Sequence, residues 1–340
     1  TPIRLAAGTT VQANLTVTRR EYYPVKIGVA NAPAAGVPAV EVFLRGHPGP
    51  GYSLGYDAAE QVVRGLLPDG GYTVKLFSRG EDGTSGSLNF TVRGGPVEGP
   101  VVSLYPNVSL HVNIRKEFGT DGASGEGTDG EGNSGKSVAR EYATVALSPV
   151  EQFGMVSTVM SQQEQGETDR GMTLNNVAAG TYWMQVSTSD CYPASATWGG
   201  GDVLHRPITI GAEGASTPIE LTLKNDGAEV SGKVQIPEGG SSQKPNEAAP
   251  AMPIMFVYFV PLSENAGQLR RTRVWNNGTF DEKQIAPGTY RILAFDHLNK
   301  EIGPANTELL RKYESKGVEV ELSASQTLRI STTLALVTEP

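Results

Sequence analysis

The sequence predicts an all-β protein of three tandem β-sandwich domains. One observation behind this is a motif that occurs three times, in which an apolar residue, two small or turn-forming residues, Gly, any residue and Tyr lead into a strand-like run. A second is composition, because 41 Gly and 22 Pro among 340 residues separate short apolar stretches. Segments with helical periodicity are nearly absent, so the pattern favours strands joined by turns.

The Gly-x-Tyr motif places six residues at equivalent positions: Gly70 and Tyr72, Gly180 and Tyr182, and Gly288 and Tyr290. Its spacing is that of a small domain. The glycine is expected to supply the positive φ of a tight turn. The tyrosine ring is expected in the core with its hydroxyl on a backbone group, as at the start of a late strand in immunoglobulin-like sandwiches. The motif therefore predicts three sandwiches of this type.

The spacing divides the chain into domains at 1–106, 107–226 and 227–340. Residues 1–18 resemble the closing strands of a preceding copy, since Ala13, Leu15 and Val17 alternate with polar residues in the same way as the segment 219–223 after the second motif. An unpaired apolar strand is an exposed edge, so these residues are a possible donor strand for a neighbouring subunit. The alternative is that they fold back onto the first domain.

Local patterns add further expectations. After the first motif, Thr73 and Lys75 alternate with apolar residues and are expected to face water. The stretch 254–260 is apolar on both faces, so it should be covered on both sides. One short helix is predicted near 307–315, with Tyr313 on its apolar side and Gly317 closing it.

Charge and length exclude several partner classes. The net charge of -8 argues against nucleic acid and anionic lipid. The longest apolar run, 251–262, is shorter than the roughly 20 residues that a membrane span needs. Cys191 is alone, so no intrachain disulfide is expected. Because the chain begins at Thr1, we expect either a removed signal peptide or a piece of a longer protein.

Residues 119–137 are Gly-rich and acidic, and are predicted to be a mobile surface loop. Within them, 130–137 match the phosphate-loop pattern, but no buried strand leads into it and the neighbouring carboxylates would repel a nucleotide. Asp121, Asp129 and Glu131 could hold calcium weakly, although they lack the alternating pattern of a preformed site. We therefore expect no cofactor and no strong metal site.

No catalytic constellation is expected. Residues 51–55 match the Gly-x-Ser-x-Gly nucleophile elbow, but no helix follows, and no histidine and acid can be placed beside it. The four histidines, His47, His111, His205 and His297, lack the spacing of metal ligands. The sequence therefore predicts a protein that is not an enzyme.

Two tryptophans are candidates for a binding surface. Trp183 is expected on the outward face of its strand, and Trp198 lies in a Gly-rich turn. An outward aromatic suits either a domain or subunit contact, the commoner case, or a platform for a sugar ring. Both interpretations stay open.

The third copy is similar to the carboxypeptidase regulatory-like domain, a transthyretin-like or immunoglobulin-like β-sandwich. The similarity lies in the strand Val230-Ser-Gly-Lys-Val234 and the later motif Ile285-Ala-Pro-Gly-Thr-Tyr290. The tail from Leu309 through Gly317 and the strand that follows resemble the last domain of large bacterial exported proteins with such repeats. This resemblance implies an exported, extracellular or cell-surface setting and no catalytic residues.

The predicted function is that of a non-enzymatic extracellular structural or assembly protein: a fibre subunit, stalk or adhesin segment. Its partners would be copies of itself or other cell-surface proteins. One alternative is an array of polysaccharide-binding modules, with Trp183 and Trp198 as platforms. Another is an accessory segment of a larger exported enzyme or outer-membrane receptor.

Overall fold

The structure is a computed structural model of the 340-residue chain. It describes residues 10, 12, 19–32, 36–45, 47, 51–78, 83–119, 143–150, 159–162, 171–213, 217–236, 254–263, 266–299, 302–303 and 312–337. All regular elements within these ranges are β-strands, which confirms the predicted all-β class. The described residues contain no helix that is long and apolar enough to cross a membrane.

The strands fall into three successive sets. The first set is β1 (Tyr22–Ala30), β2 (Ala39–Leu44), β3 (Gly55–Asp57), β4 (Val62–Pro68), β5 (Gly70–Phe77), β6 (Thr84–Val92) and β7 (Val97–Ser103), followed by the short β8 (Tyr105–Pro106). The second is β9 (Val108–Glu117), β10 (Ala143–Pro149), β11 (Val159–Gln162), β12 (Met172–Val177), β13 (Gly180–Thr188), β14 (Tyr192–Trp198), β15 (Gly201–Asp202), β16 (Ile208–Ile210) and β17 (Ile219–Lys224). The third is β18 (Ala228–Lys233), β19 (Phe256–Pro261), β20 (Arg270–Arg273), β21 (Thr279–Ile285), β22 (Gly288–Phe295), β23 (Val318–Leu322) and β24 (Thr327–Arg329).

Each set forms one two-sheet sandwich with the same plan. In the first sheet, the opening strand (β1, β9 or β18) lies antiparallel to the strand before the Gly-x-Tyr motif (β4, β12 or β21). On its other side it lies parallel to a closing strand (β7, β17 or β24). The second sheet is antiparallel and runs β2-β5-β6 in the first sandwich, β11-β10-β13-β16 in the second and β20-β19-β22-β23 in the third.

Two compact units contain these sandwiches. The first sandwich belongs to a unit that ends at Leu104, and the second and third sandwiches belong together to a unit that runs on from Tyr105. Each sandwich has its own apolar core. The domain boundaries at 106 and 226 stay a prediction.

The Gly-x-Tyr motif is the corner at which the chain passes from one sheet of a sandwich to the other. The Tyr72 hydroxyl donates to the carbonyl oxygen of Pro68 at 2.8 Å. Equivalent bonds join Tyr182 to Ala178 at 2.9 Å and Tyr290 to Ala286 at 2.8 Å. All three rings are buried. Each hydroxyl therefore closes the corner by bonding four residues back along the chain.

The glycines of the motif act in two different ways. Gly288 has a φ of 142°, which favours glycine, and a Cβ there would lie 2.6 Å from the Cα of Ala266. Gly70 and Gly180 do not have positive φ. A Cβ at these two positions would lie 3.2 and 3.3 Å from the ring of the tyrosine two residues later. The positive φ expected of all three glycines is thus found only in the third copy. In the first two copies, glycine is needed because a side chain would crowd the tyrosine ring.

The expectation that Thr73 faces water is wrong. Its side chain is only 3% exposed, and its hydroxyl donates to Asn89 Oδ1 at 2.6 Å. Phe43, its partner across β2 and β5, is buried as well. A threonine can take such a position because its hydroxyl finds a partner on the neighbouring strand. Lys75 lies partly exposed, with its ammonium 5.8 Å from the centre of the Phe43 ring.

Within the apolar stretch 254–260, strand β19 is covered on both faces as predicted, whereas Ile254, before the strand, is 51% exposed. Val257 and Phe259 of β19 point into the core of the third sandwich. Tyr258 and Val260 belong to a second, smaller cluster on the opposite face, which includes Tyr313. Most of the helix predicted near 307–315 lies outside the described residues, and residues 312–315 form a turn.

Candidate functional site

Several predicted site residues lie outside the part of the chain that the structure describes. These are the possible donor-strand residues Ala13, Leu15 and Val17, and the possible calcium ligands Asp121, Asp129 and Glu131. The phosphate-loop match at 130–137 lies outside it too. Among the described residues, the side chains of His, Cys, Asp and Glu form no group of three that could hold a metal ion.

Neither of the two predicted tryptophans is fully exposed. Trp183 is half-buried, and its indole nitrogen is fully buried without a hydrogen-bond partner among the described residues. Trp198 is half-buried against the core of the second sandwich, and its indole nitrogen donates to the carbonyl of Thr217 at 2.9 Å. The Trp198 ring is therefore partly used inside the second sandwich, and the polar edge of the Trp183 ring is closed to solvent.

A side chain that the sequence reasoning missed joins the second and third sandwiches. Gln268, just before β20, lies against β13. Its Oε1 accepts the amide of Val186 at 2.9 Å, and its Nε2 donates to the carbonyl oxygens of Met184 at 2.7 Å and Leu204 at 3.0 Å. Strand β16 covers β13 only as far as Tyr182. The Gln268 amide thus takes the place of a further strand residue on that edge.

A histidine strengthens this contact. His205 Nδ1 lies 2.8 Å from Asp202 Oδ2, and its Nε2 lies 2.8 Å from the carbonyl oxygen of Ala266 in the third sandwich. Both neighbours are acceptors, so each ring nitrogen of His205 has a partner within hydrogen-bond distance. Burial acts to raise the pKa of Asp202, but hydrogen bonds from His205 and the Leu204 amide hold that pKa below its ordinary value.

Every residue of the short link between the second and third sandwiches, 225–227, makes a hydrogen bond. Gln284 receives the Gly227 amide on Oε1 at 3.1 Å and donates through Nε2 to the Asn225 carbonyl at 3.1 Å. Asp226 accepts the Tyr192 hydroxyl on Oδ1 at 2.8 Å, and its carbonyl accepts the amide of Ser325. A peptide link held by both flanking sandwiches has little freedom to bend. We call these bonds, together with those of Gln268 and His205, the sandwich junction.

Gln284 reaches the link from a special backbone position. It has a φ of 54°, and Asn176 has a φ of 62° at the equivalent place just before the second motif. Both sit where the pairing of the strand before the corner shifts register. Asn176 likewise accepts a hydrogen bond from Asn107, the residue before β9, at 2.8 Å. In both copies, a bulge therefore aims an amide side chain at the segment that enters the opening strand.

One large aromatic side chain is exposed among the described residues of the third sandwich. Trp275 follows β20 and is 61% exposed. Its indole nitrogen donates to Asp281 Oδ1 at 2.9 Å, and its amide bonds to the Thr279 carbonyl at 2.8 Å, so the ring is held in one orientation. It borders an open groove of about 650 Å³ lined by residues 272–277. Fixed, exposed tryptophans are typical of binding surfaces.

The two edges of one sheet in this sandwich carry opposite charge. Strand β20, at one edge, contains Arg270, Arg271 and Arg273. Arg270 is engaged internally, 3.1 Å from Glu282, a carboxyl whose pKa is raised by burial. Strand β23, at the other edge, exposes Glu319 and Glu321. We call these the basic edge and the acidic edge.

Two of the described histidines, His205 and His297, have acceptors beside their ring nitrogens. Both nitrogens of His205 are occupied, as described above. His297 Nδ1 lies 2.7 Å from its neighbour Asp296. The nucleophile-elbow match at 51–55 is not followed by a helix; β3 begins at Gly55.

Comparison with known proteins finds distant structural likenesses. No protein-family model matches the chain, and no curated protein matches it either. The Bacillus anthracis TIE protein is 13% identical at a TM-score of 0.21, covering 94% of this chain and 51% of that one. This chain thus spans about half the length of that protein.

Other likenesses of the same kind are to pilins. A streptococcal ancillary pilin is 11% identical at a TM-score of 0.20, covering 93% of this chain and 98% of that one. BcpA, the major pilin subunit of Bacillus cereus, is 9% identical at a TM-score of 0.22, covering 93% and 99%. Values this low carry no argument about function.

Proposed function

We propose that this chain is a non-enzymatic structural subunit of an extracellular assembly, acting as a fibre subunit, stalk or adhesin segment. The observation that supports this most is the sandwich junction. Gln268, His205 and the tied link of Asn225, Asp226 and Gly227 hold two sandwiches in one compact unit. A subunit that extends a structure must keep its domains aligned under load, and a hydrogen-bonded junction meets that need.

The setting that we propose is the bacterial cell surface or the extracellular space. It follows from the resemblance of the third copy to carboxypeptidase regulatory-like domains of exported proteins. The single cysteine of the chain, Cys191, is buried, so it is not placed to form disulfides between subunits. Assembly would therefore not depend on disulfides, and sheet edges and domain faces are the surfaces that we propose for it.

A second candidate function is polysaccharide binding. One observation favours it, and it concerns a residue that the sequence analysis did not single out. Trp275 offers a fixed, exposed ring beside an open groove, whereas Trp183 and Trp198 are half-buried. In that case the indole face of Trp275 would stack on a sugar ring.

Imaging and hydrodynamics test the proposal. The full chain, imaged by negative-stain electron microscopy across a concentration series, is expected to form linear particles. Sedimentation velocity should show the same growth with concentration. Monomers at every concentration, together with retention on a polysaccharide matrix that Trp275→Ala abolishes, would support the second candidate instead. Tyr22→Ala, which removes an exposed aromatic ring outside this groove and keeps the indole of Trp275, is the matched control for that retention.

A further inference from the structure

We propose that copies of this chain associate head to tail by placing the basic edge of one third sandwich against the acidic edge of the next. This inference rests on the proposed function and names its interface. The occupant of each edge is a second copy of the same chain.

The backbone of the basic edge is available for pairing. The amide of Val274 bonds to the Met255 carbonyl at 2.9 Å, which turns this residue toward β19. Residues alternate in an antiparallel ladder, so the backbone groups of Arg271 and Arg273 point away from β19. No described strand pairs with them on that side, because β20 ends the sheet. The groove along residues 272–277 lies beside the same strand.

The acidic edge offers the matching partner. β23 ends the same sheet on the opposite side and pairs only with β22 among the described strands. Glu319 is 59% exposed, although it forms an ion pair of 3.2 Å with Arg291 of β22. Glu321 is exposed two residues later. Two carboxylates thus lie along one edge where two guanidinium groups lie along the other.

Strand direction allows the edges to meet. Neighbours in the order β20-β19-β22-β23 are antiparallel throughout. Strands β20 and β23 therefore run in opposite directions, so a second copy related mainly by translation continues the alternation with β20 beside β23. Two unlike surface patches that meet this way form a heterologous contact, which grows open filaments rather than closed dimers.

Charge also excludes the wrong pairings. Two basic edges repel one another, as do two acidic edges, and like charges placed opposite each other are costly at an interface. Charged edge strands commonly prevent sheets from aggregating. Here the opposite signs block contact between like edges and leave one allowed arrangement. Trp275, at the end of the basic edge, would be covered by the incoming copy and serve as its aromatic anchor.

Charge reversal tests the proposal in the full chain. One variant carries Arg271→Glu and Arg273→Glu, and the other carries Glu319→Lys and Glu321→Lys. Each alone should weaken self-association by about tenfold or more in sedimentation velocity. An equimolar mixture should restore it, because one variant then has two acidic edges and the other two basic ones. Circular dichroism and thermal unfolding check that each variant folds, and the single changes Arg273→Gln and Glu321→Gln provide a milder pair.

Four results would overturn the inference. Unchanged association of both variants would place the contact elsewhere, although the proposed function would survive. A mixture that stays monomeric, from variants that fold, would show that the two edges do not meet. Wild-type protein that remains monomeric at all concentrations would remove the proposed function itself. Trp275→Ala that leaves association intact but abolishes retention on polysaccharide would assign this surface to carbohydrate.

Discussion

The side chain of Gln268 accepts the backbone amide of Val186 at 2.9 Å, so an amide from the third sandwich completes the hydrogen bonding of a strand in the second. The same side chain donates to the Met184 carbonyl, as a neighbouring strand would. Such a contact is specific, because a buried backbone group that loses its partner is costly. It couples the folding of one sandwich to the position of the next.

Removing this amide should loosen the second unit. Gln268→Ala leaves the Val186 amide and the Met184 and Leu204 carbonyls without their partner, and should cost about 1–3 kcal/mol of unfolding free energy. Hydrogen exchange should show faster exchange of the Val186 amide. Gln185→Ala, an exposed glutamine on the same strand, is the control. Unchanged protection of Val186 in the Gln268 variant would contradict the role assigned to this contact.

The hydroxyls of the corner tyrosines should contribute unequally to the free energy of unfolding. The Tyr290 hydroxyl donates to the Ala286 carbonyl and also accepts the Gly267 amide at 2.7 Å. Tyr290→Phe therefore removes two bonds and should destabilise more than Tyr182→Phe, whose hydroxyl makes one, within about 1–3 kcal/mol for each buried group left unpaired. Tyr22→Phe, at an exposed ring, should change stability by less than about 0.5 kcal/mol. Calorimetry measures all three, and equal losses at Tyr290 and Tyr22 would refute the ranking.

Acid should weaken the second unit through Asp202. Its pKa in the folded protein lies below the ordinary value of 3.8. A carboxyl of this kind contributes stability that is present above pH 3.8 and is lost as the pH falls through the lower folded value. Asp202→Asn should flatten the acid limb of stability measured by urea unfolding between pH 6 and pH 3, roughly the range in which carboxyls titrate. An acid limb as steep as that of the wild type would show that other carboxyls dominate.

Alkali should act through the buried tyrosines. Burial raises the pKa of Tyr290 to about 12, and burial also raises the pKa of Tyr72 and Tyr192 above the ordinary value of 10.0. Because the folded pKa is raised, their contribution to stability is complete below pH 10 and is lost as the pH rises toward the folded value. Ultraviolet titration should show a late group of tyrosines that ionises together with unfolding. The variant Tyr290→Phe should show one tyrosine fewer in that late group.

Much of the fold could be predicted because its signals are local. Alternation of apolar residues, the turn before each corner and the tyrosine that closes it all depend on residues within a few positions of one another. The three corner tyrosines accordingly lie where the motif predicts, each bonded four residues back. Thr73 shows the limit of such reasoning, since its burial depends on Phe43 and Asn89 from two other strands.

The candidate surfaces depended on contacts between distant parts of the chain. Gln268 lies more than eighty positions from Val186 along the chain, and nothing in the local sequence distinguishes it from any polar loop residue. In the sequence, Trp275 is indistinguishable from any other aromatic residue at the end of a strand. In the structure it lies in the turn that includes Gly278, and its side chain is exposed. The opposite charges of β20 and β23 suggest an interface only because the strand order places these strands at the two edges of one sheet.

The sequence by itself determined the class of fold, the number of sandwiches and the corner that builds each one, because these follow from short-range periodicity and turn chemistry. Tertiary structure alone decided which strands end the sheets, which amide side chains join two sandwiches, and which tryptophan faces solvent. The physical reason is that hydrogen-bond partners and burial are set by residues brought together from far apart, and a single sequence does not state those pairings.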